Sequence, residues 1–292
     1  MKRRAITDGV SWLGAVDWDR RLFDSLIPLP DGTSYNAYLV QGSEKTVLLD
    51  TVDPAKKEIL FAQLEDIPKI DYLVVHHAEQ DHSGTVPDIL QRYPEATVLT
   101  TAKAKTMLLE HMPLDPARIQ TVEDGETVSL GGKTLRFMHM PWVHWPETMV
   151  TYLEEDQILF SCDFLGSHVA TSDLYVTDRG MVYEAAKRYY AEIMMPFRRV
   201  IKKHLGRLDE LDLSLVAPSH GPIYDDPAWI IDAYRDWTGD IPKNEVVIPF
   251  ISMHGSTGKM VDYLVGALSA KGITVQPFDL AVTDIGKLAM AL

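Results

Sequence analysis

Short apolar blocks alternate with polar ones through the first half of the chain. Runs with strand character cover Ser34 to Val40, Thr46 to Asp50, Asp71 to His77, Thr97 to Thr101, Lys133 to Met140 and Met149 to Leu153. Between some of them the apolar spacing lengthens to the helical period, over Pro54 to Leu64, Val86 to Arg92 and Ala102 to His111. Further on, Tyr183 to Lys203 forms a long amphipathic segment and Pro227 to Trp237 another. Strands and helices mixed in this way predict sheets covered by helices, an α/β arrangement. No internal repeat or low-complexity tract interrupts it.

The pattern changes near residue 240. Gly239-Asp240-Ile241-Pro242-Lys243-Asn244-Glu245 is polar with Gly and Pro, as a linker between domains should be. After it come an apolar strand from Val246 to Ile251, a small-residue loop, a helix from about Lys259 to Ala270 and a second strand from Ile273 to Phe278. That is the opening βαβ of a parallel sheet. The expected division is therefore 1–240 and 241–292, with the second unit incomplete, because a doubly wound sheet needs more strands to cover both faces.

Composition narrows the function. The 292 residues are 46% hydrophobic, enough for a packed core, and carry a net charge of −14. Such a balance argues against nucleic acid or an anionic membrane as partner. No apolar signal region follows the basic start, no stretch is long enough to span a membrane, and a cytoplasmic location is the expectation. Cys162 is the single cysteine, which excludes an internal disulfide and any thiolate cluster.

The strongest chemical signal lies in His76-His77-Ala78-Glu79-Gln80-Asp81-His82-Ser83-Gly84, directly after the apolar run Tyr72 to Val75. Two imidazoles and two carboxylates at the end of a rigid element can converge on metal ions, and crowded carboxylates need cations or protons to neutralise them. Three more candidates follow strand-like or apolar runs: His144 in Pro141-Trp142-Val143-His144-Trp145-Pro146, Asp163 in Phe160-Ser161-Cys162-Asp163, and His220 in Ala217-Pro218-Ser219-His220-Gly221. His76, next to His77 on extended backbone, should point the other way and serve structure. His168 is a candidate for the pocket or for support of a ligand. His111, His139 and His204 read as ordinary helix or strand residues, and Asp50 as an acceptor for a ligand imidazole.

His-x-Glu-x-Asp-His followed by His, Asp and His at these separations resembles the diiron signature of the flavodiiron proteins, within the metallo-β-lactamase superfamily. Hydrolytic members of that superfamily carry His where this chain has Glu79. A carboxylate-enriched donor set suits iron that must change oxidation state. The resemblance implies that His77, Glu79 and His144 bind one iron, that Asp81, His82 and His220 bind the other, and that Asp163 bridges them. It implies a metallo-β-lactamase-like αββα sandwich followed by an incomplete flavodoxin-like βαβ segment.

Residues Ser252-Met253-His254-Gly255-Ser256-Thr257-Gly258-Lys259 join the first strand after the linker to the next helix. Met253 stands where a nucleoside-triphosphate loop requires glycine. The segment resembles the FMN phosphate loop of flavodoxin-like domains, which implies Ser252, Met253, His254, Gly255, Ser256 and Thr257 as phosphate contacts. The expected activity is an oxidoreductase that passes electrons through FMN to the diiron centre and reduces O2 to water, NO to N2O, or both. A separate electron donor such as a rubredoxin or a flavin reductase and a head-to-tail homodimer are further implications. Two other readings compete: a dinuclear zinc hydrolase of the same fold, and a binding module that retains the fold without catalysis.

Overall fold

The computed structural model describes residues 2–23 and 25–292. Among the described residues sixteen strands appear in chain order: β1 Arg4–Thr7, β2 Val10–Asp17, β3 Leu22–Phe23, β4 Ile27–Pro28, β5 Thr33–Gln41, β6 Thr46–Leu49, β7 Tyr72–Val74, β8 Thr97–Thr100, β9 Ile119–Thr121, β10 Thr127–Ser129, β11 Thr134–His139, β12 Met149–Leu153, β13 Ile158–Cys162, β14 Leu215–Pro218, β15 Glu245–Phe250 and β16 Thr274–Asp279. The helices are α1 Lys57–Gln63, α2 Gln80–Ser83, α3 Val86–Arg92, α4 Ala102–His111, α5 Arg179–Tyr189, α6 Arg198–Leu208, α7 Pro227–Trp237, α8 Ser256–Ser269 and α9 Ile285–Ala291.

Two sheets lie face to face. The first has seven strands in the order β1-β2-β5-β6-β7-β8-β9, antiparallel as far as β6 and parallel beyond it. The second has five, β10-β11-β12-β13-β14, antiparallel except for the β13–β14 pair. Side-chain alternation along each strand sorts the core into three layers. Leu48, Leu73 and Val98 pack outward with Leu60, Ile89 and Leu108 of the helices. Their neighbours Val47, Leu49, Val74 and Leu99 meet Phe137, Met149, Leu153 and Phe160 between the sheets. On the far side Val150, Tyr152, Leu159 and Val216 pack beneath Val182, Ile201, Leu205 and Ile230. Burial on both faces explains why these strands are apolar almost throughout. The chain thus builds the αββα sandwich that its sequence resembles, followed by β15, α8 and β16 in a parallel βαβ arrangement. Among the described residues no helix is long and apolar enough to cross a membrane.

Two local departures from the sequence reading have physical causes. The amphipathic segment 183–203 is not one helix: α5 ends at Tyr189, a π turn spans Tyr190–Met194, a single 3₁₀ turn spans Met195–Phe197, and α6 begins at Arg198. Pro196 sits in the break, where it has no N–H to donate and its ring would strike the preceding turn. Strand β7 stops at Val74, so His76 and His77 lie on the loop beyond the strand rather than within it.

Polar side chains tie the two sheets together at one edge. His76 Nδ1 is 2.7 Å from Asp50 Oδ2, beside β6, and its Nε2 is 2.7 Å from Thr151 Oγ1 on β12. Asn36 of β5 donates its side-chain amide to the carbonyls of Pro218 and Gly221, both at 2.8 Å, and Tyr38 donates its hydroxyl to Pro218 at 2.7 Å. Thr101 Oγ1 donates to the carbonyl of Glu147 at 3.0 Å. All of these groups are buried.

Candidate metal centre

The loops that leave β7, β11, β13 and β14 meet at this tied edge. His77 follows β7, Glu79 caps the start of α2, and Asp81 and His82 lie within that single helical turn. His144 lies on the loop between β11 and β12, Asp163 directly follows β13, and His220 follows β14. Gly221 completes the last turn at φ +83°, with its backbone so close to Ser167 that a Cβ would stand 2.1 Å from Oγ.

All seven residues singled out from the sequence converge there. Glu79 Oε2 lies 3.0 Å from His77 Nε2 and 3.2 Å from His144 Nε2, and Asp163 Oδ2 lies 3.4 Å from each of the same two nitrogens. On the other side Asp163 Oδ1 lies 3.1 Å from His82 Nε2 and 3.3 Å from His220 Nε2. Asp81 closes that second group, Oδ1 at 3.4 Å from His82 Nε2 and Oδ2 at 3.2 Å from His220 Nε2. One carboxylate therefore presents one oxygen to each group.

The donor chemistry fits metal ions. Both oxygens of Asp81, both oxygens of Asp163 and His82 Nε2 are buried without a hydrogen-bond partner in the protein. Desolvated carboxylates in that state are costly unless something positive sits against them. Donor atoms 3.0–3.4 Å apart are also spaced as the edges of a polyhedron whose centre lies about 2.1 Å from each donor. Imidazole nitrogen with carboxylate oxygen is a donor set for first-row transition metals.

The electrostatics point the same way. Burial opposes a proton on His77, yet its contacts with Glu147 and Glu79, with Asp163 close by, raise its pKa to about 10. His220 rises to about 10 against the same burial because Asp163 and Asp81 face it. His82 and His144 are each raised to about 9, again chiefly by Asp163 acting against desolvation. Burial would push Asp163 up, but His82, His144 and His220 hold it well below the carboxylate range, and His144 and His77 do the same for Glu79. The cluster demands positive charge, and protons or cations can supply it.

Supporting hydrogen bonds fix which imidazole nitrogen faces inward. His220 Nδ1 donates to the carbonyl of Ser34 at 2.6 Å, which leaves Nε2 as the inward donor atom. His77 Nδ1 lies 2.7 Å from Glu147 Oε1, which also accepts the Ala78 N–H at 3.0 Å. Glu147 is the buried carboxylate that the sequence reading missed. The imidazole supported by Asp50 was expected to be a ligand, and the structure corrects this. Both Asp50 oxygens are taken by His76, one by its ring and one by its backbone N–H. His76 points away from the cluster, as alternation along the chain requires. His139 and His204 make backbone contacts with Val122 and Pro141, and His111 ends α4.

A cavity of about 180 Å³ opens onto the cluster. Glu79, His144, Asp163 and His220 form its floor, and Phe23, Ile27, His168, Tyr189, Glu192 and Ile193 its walls. His168 Nδ1 is 2.8 Å from Thr33 Oγ1, and burial with the neighbouring His220 keeps its pKa well below 6.5. The proposed phosphate-loop residues lie elsewhere: Ser252 to Gly255 form a largely exposed turn and Ser256 and Thr257 open α8, with Gly255 at φ +80° and Ser252 Oγ accepting the Gly258 N–H at 3.0 Å.

Fold and site together define a two-sheet sandwich protein with a candidate dinuclear metal centre at one edge. A family model described as ODP family beta lactamase matches residues 33–221. The chain is 41% identical over 289 residues to a nitric oxide reductase of Moorella thermoacetica, covering 96% of this chain and 72% of that protein. It is 36% identical over 294 residues to a coenzyme F420H2 oxidase of Methanothermobacter marburgensis, with the same coverage. Among solved structures, rubredoxin oxygen:oxidoreductase of Desulfovibrio gigas matches with a TM-score of 0.93 at 31% identity, over 99% of this chain and 74% of that one. The flavodiiron protein of Giardia intestinalis gives a TM-score of 0.93 at 30% identity, over 99% and 72%. This chain belongs to the flavodiiron proteins. It is accordingly an oxidoreductase, which sets aside both the zinc hydrolase and the inactive binding module.

Proposed function

We propose that this protein reduces O2 to water, NO to N2O, or both, at a non-haem diiron centre held by His77, Glu79, Asp81, His82, His144, Asp163 and His220, with electrons delivered through FMN. The observation that carries the reading is Asp163, whose two buried, unpartnered oxygens each face a separate set of imidazoles and carboxylates. His77, Glu79 and His144 serve one ion and Asp81, His82 and His220 the other. When bound, a ferrous pair would supply two electrons at once to a diatomic substrate in the adjoining cavity. Glu147 and the Ser34 carbonyl orient two of the imidazoles, and Phe23, Ile27 and Ile193 keep most of the cavity wall apolar. Three carboxylates offset most of the charge of two divalent cations.

Ser252, Met253, His254, Gly255, Ser256 and Thr257 would hold the flavin phosphate, supported by their position at the N-terminus of a fourteen-residue helix whose first-turn amides favour an anion. The open space around Gly255, where no atom lies within 4 Å of a built Cβ, leaves room for it. A separate redox protein such as a rubredoxin, or a flavin reductase, is the electron donor; the working unit is a head-to-tail homodimer, and the location is cytoplasmic. The test is metal analysis of protein from iron-sufficient cells, with O2 and NO consumption by the chemically reduced protein, with and without added FMN. Bound iron and consumption of either gas are expected. Full zinc occupancy, or no consumption by iron-loaded protein, would sink the reading.

A further inference from the structure

Glu192 belongs to the π turn and lines the cavity beside Ile193 and Tyr189. Its side chain is 9% exposed. Among the described residues the cavity holds two other carboxylates, Glu79 and Asp163, and both belong to the proposed ligand set. Glu192 instead makes its contact with Arg188: Oε1 accepts from Nη1 at 3.1 Å. Arg188 is also held by Asp284, through Nη1 at 3.0 Å to Oδ1 and through a short contact from Nη2 to Oδ2. Asp284 begins α9, where Oδ1 also accepts the Gly286 N–H at 2.9 Å. A Cβ on Gly286 would stand 1.9 Å from Arg188 Nη1 and 2.2 Å from Glu192 Oε1. The C-terminal segment therefore lies directly against this pair and fixes it in the cavity wall.

The proposed chemistry consumes protons. Reduction of O2 to water takes up one proton for each electron, and so does the joining of two NO molecules into N2O and water. Few groups in the cavity can supply them. Burial pushes the Tyr189 phenol well above 10, and His168 is held neutral. The imidazoles of His144 and His220 turn Nε2 toward carboxylates of the ligand set. We propose that Glu192 delivers protons to the substrate in this cavity, with Arg188 and Asp284 as its positioning residues, an inference that rests on the function proposed above. The Glu192 carboxyl gives its O–H proton to the substrate oxygen and is left as a carboxylate paired with Arg188. Water at the cavity mouth returns the proton, and the electrons come from the donor side. Burial raises Glu192 above the ordinary glutamate range, with Asp284 adding to the rise and Arg188 opposing it. Lys287 on α9 also favours the charged form of Asp284.

The experiment compares wild type with Glu192→Gln and Asp284→Asn. Infrared difference titration, with and without iron, should show a protonated carboxyl band that Glu192→Gln removes and that titrates above the ordinary glutamate range. In iron-loaded protein, Glu192→Gln should lower kcat for gas consumption at least about tenfold with KM and iron content unchanged. Asp284→Asn removes a negative charge that favours the protonated form, so the infrared midpoint and the alkaline limb of the activity profile should both move to lower pH. Glu192→Gln with wild-type kcat and pH profile would overturn the proposal, as would a Glu192 band titrating like a surface carboxylate. If iron-loaded wild type consumes neither gas, the function proposed above has failed, and the infrared midpoint alone then decides whether Glu192 has the properties assigned to it.

Discussion

Replacing Glu147 by Gln tests the metal centre through a residue that is not one of its proposed ligands. Glu147 is 2% exposed, and its Oε1 takes both the His77 ring at 2.7 Å and the Ala78 N–H at 3.0 Å. Gln keeps the size and an acceptor oxygen but removes the charge. A hydrogen bond to a charged group is worth about 1.5–3 kcal/mol. Loss of a partner to a ligating imidazole typically lowers metal affinity about 10–100-fold, which is about 1.4–2.7 kcal/mol. With the oxygen retained, the lower end applies, so Glu147→Gln should weaken one metal about tenfold. Glu147→Ala, which removes the acceptor, should approach a hundredfold. Because His77 belongs to only one of the two donor groups, the second metal should be affected far less. Stepwise chelator competition with metal analysis reads both affinities, and circular dichroism checks that the fold is intact. Equal weakening of both metals, or no weakening in a folded variant, would refute the assignment of Glu147 to the His77 group.

Further outcomes follow from the same geometry. Asp163→Asn should strip both metals and His168→Ala much less, because Asp163 faces both groups while His168 bonds Thr33; equal metal content in the two variants contradicts this. The imidazoles at His77, His82, His144 and His220 have folded pKa values raised from 6.5 to about 9 or 10. Their stabilising contribution is thus complete below pH 6.5 and lost as pH rises through that window. The melting temperature of metal-free protein should fall between neutral pH and about pH 10, and that of metal-loaded protein should not; parallel scans of the two forms check it. Leu73→Ala, in a fully buried position between the first sheet and its helices, should cost about 2–5 kcal/mol, read as a lower denaturant midpoint with an unchanged slope.

The sequence revealed the residues of the candidate centre more readily than the groups that hold them. His77, Glu79, Asp81 and His82 crowd into six positions after an apolar strand, and that density needs explanation by itself. His144, Asp163 and His220 are scattered, and only a family signature joined them. The supporting carboxylate was misplaced for a geometric reason. Asp50 and Glu147 are both buried, but adjacent imidazoles on extended backbone face opposite ways, so Asp50 meets His76 and a residue 70 positions along the chain meets His77. Strand β2 escaped notice because Trp12, Gly14 and Asp17 blur its alternation while its partners bury almost all of it. Pro196 was visible but lay inside an amphipathic pattern that continues past it, and the pattern concealed the π turn that carries Glu192.

The polar ties between the sheets bear on how the candidate centre would take up metal ions. Apolar surfaces alone would let one sheet slide on the other, and a slide of an ångström would pull His220 and Asp163 away from His77 and His82. Hydrogen bonds have direction and length, so Asn36, Tyr38, His76 and Thr101 pin the halves in register. The cradle is consequently finished when folding ends, and an arriving ion enters a receptacle already cut to shape. Loading the candidate centre would then become a matter of which ion reaches the edge first and how slowly it leaves, so the balance of competing metal ions, rather than any rearrangement of the sheets, would set its occupancy.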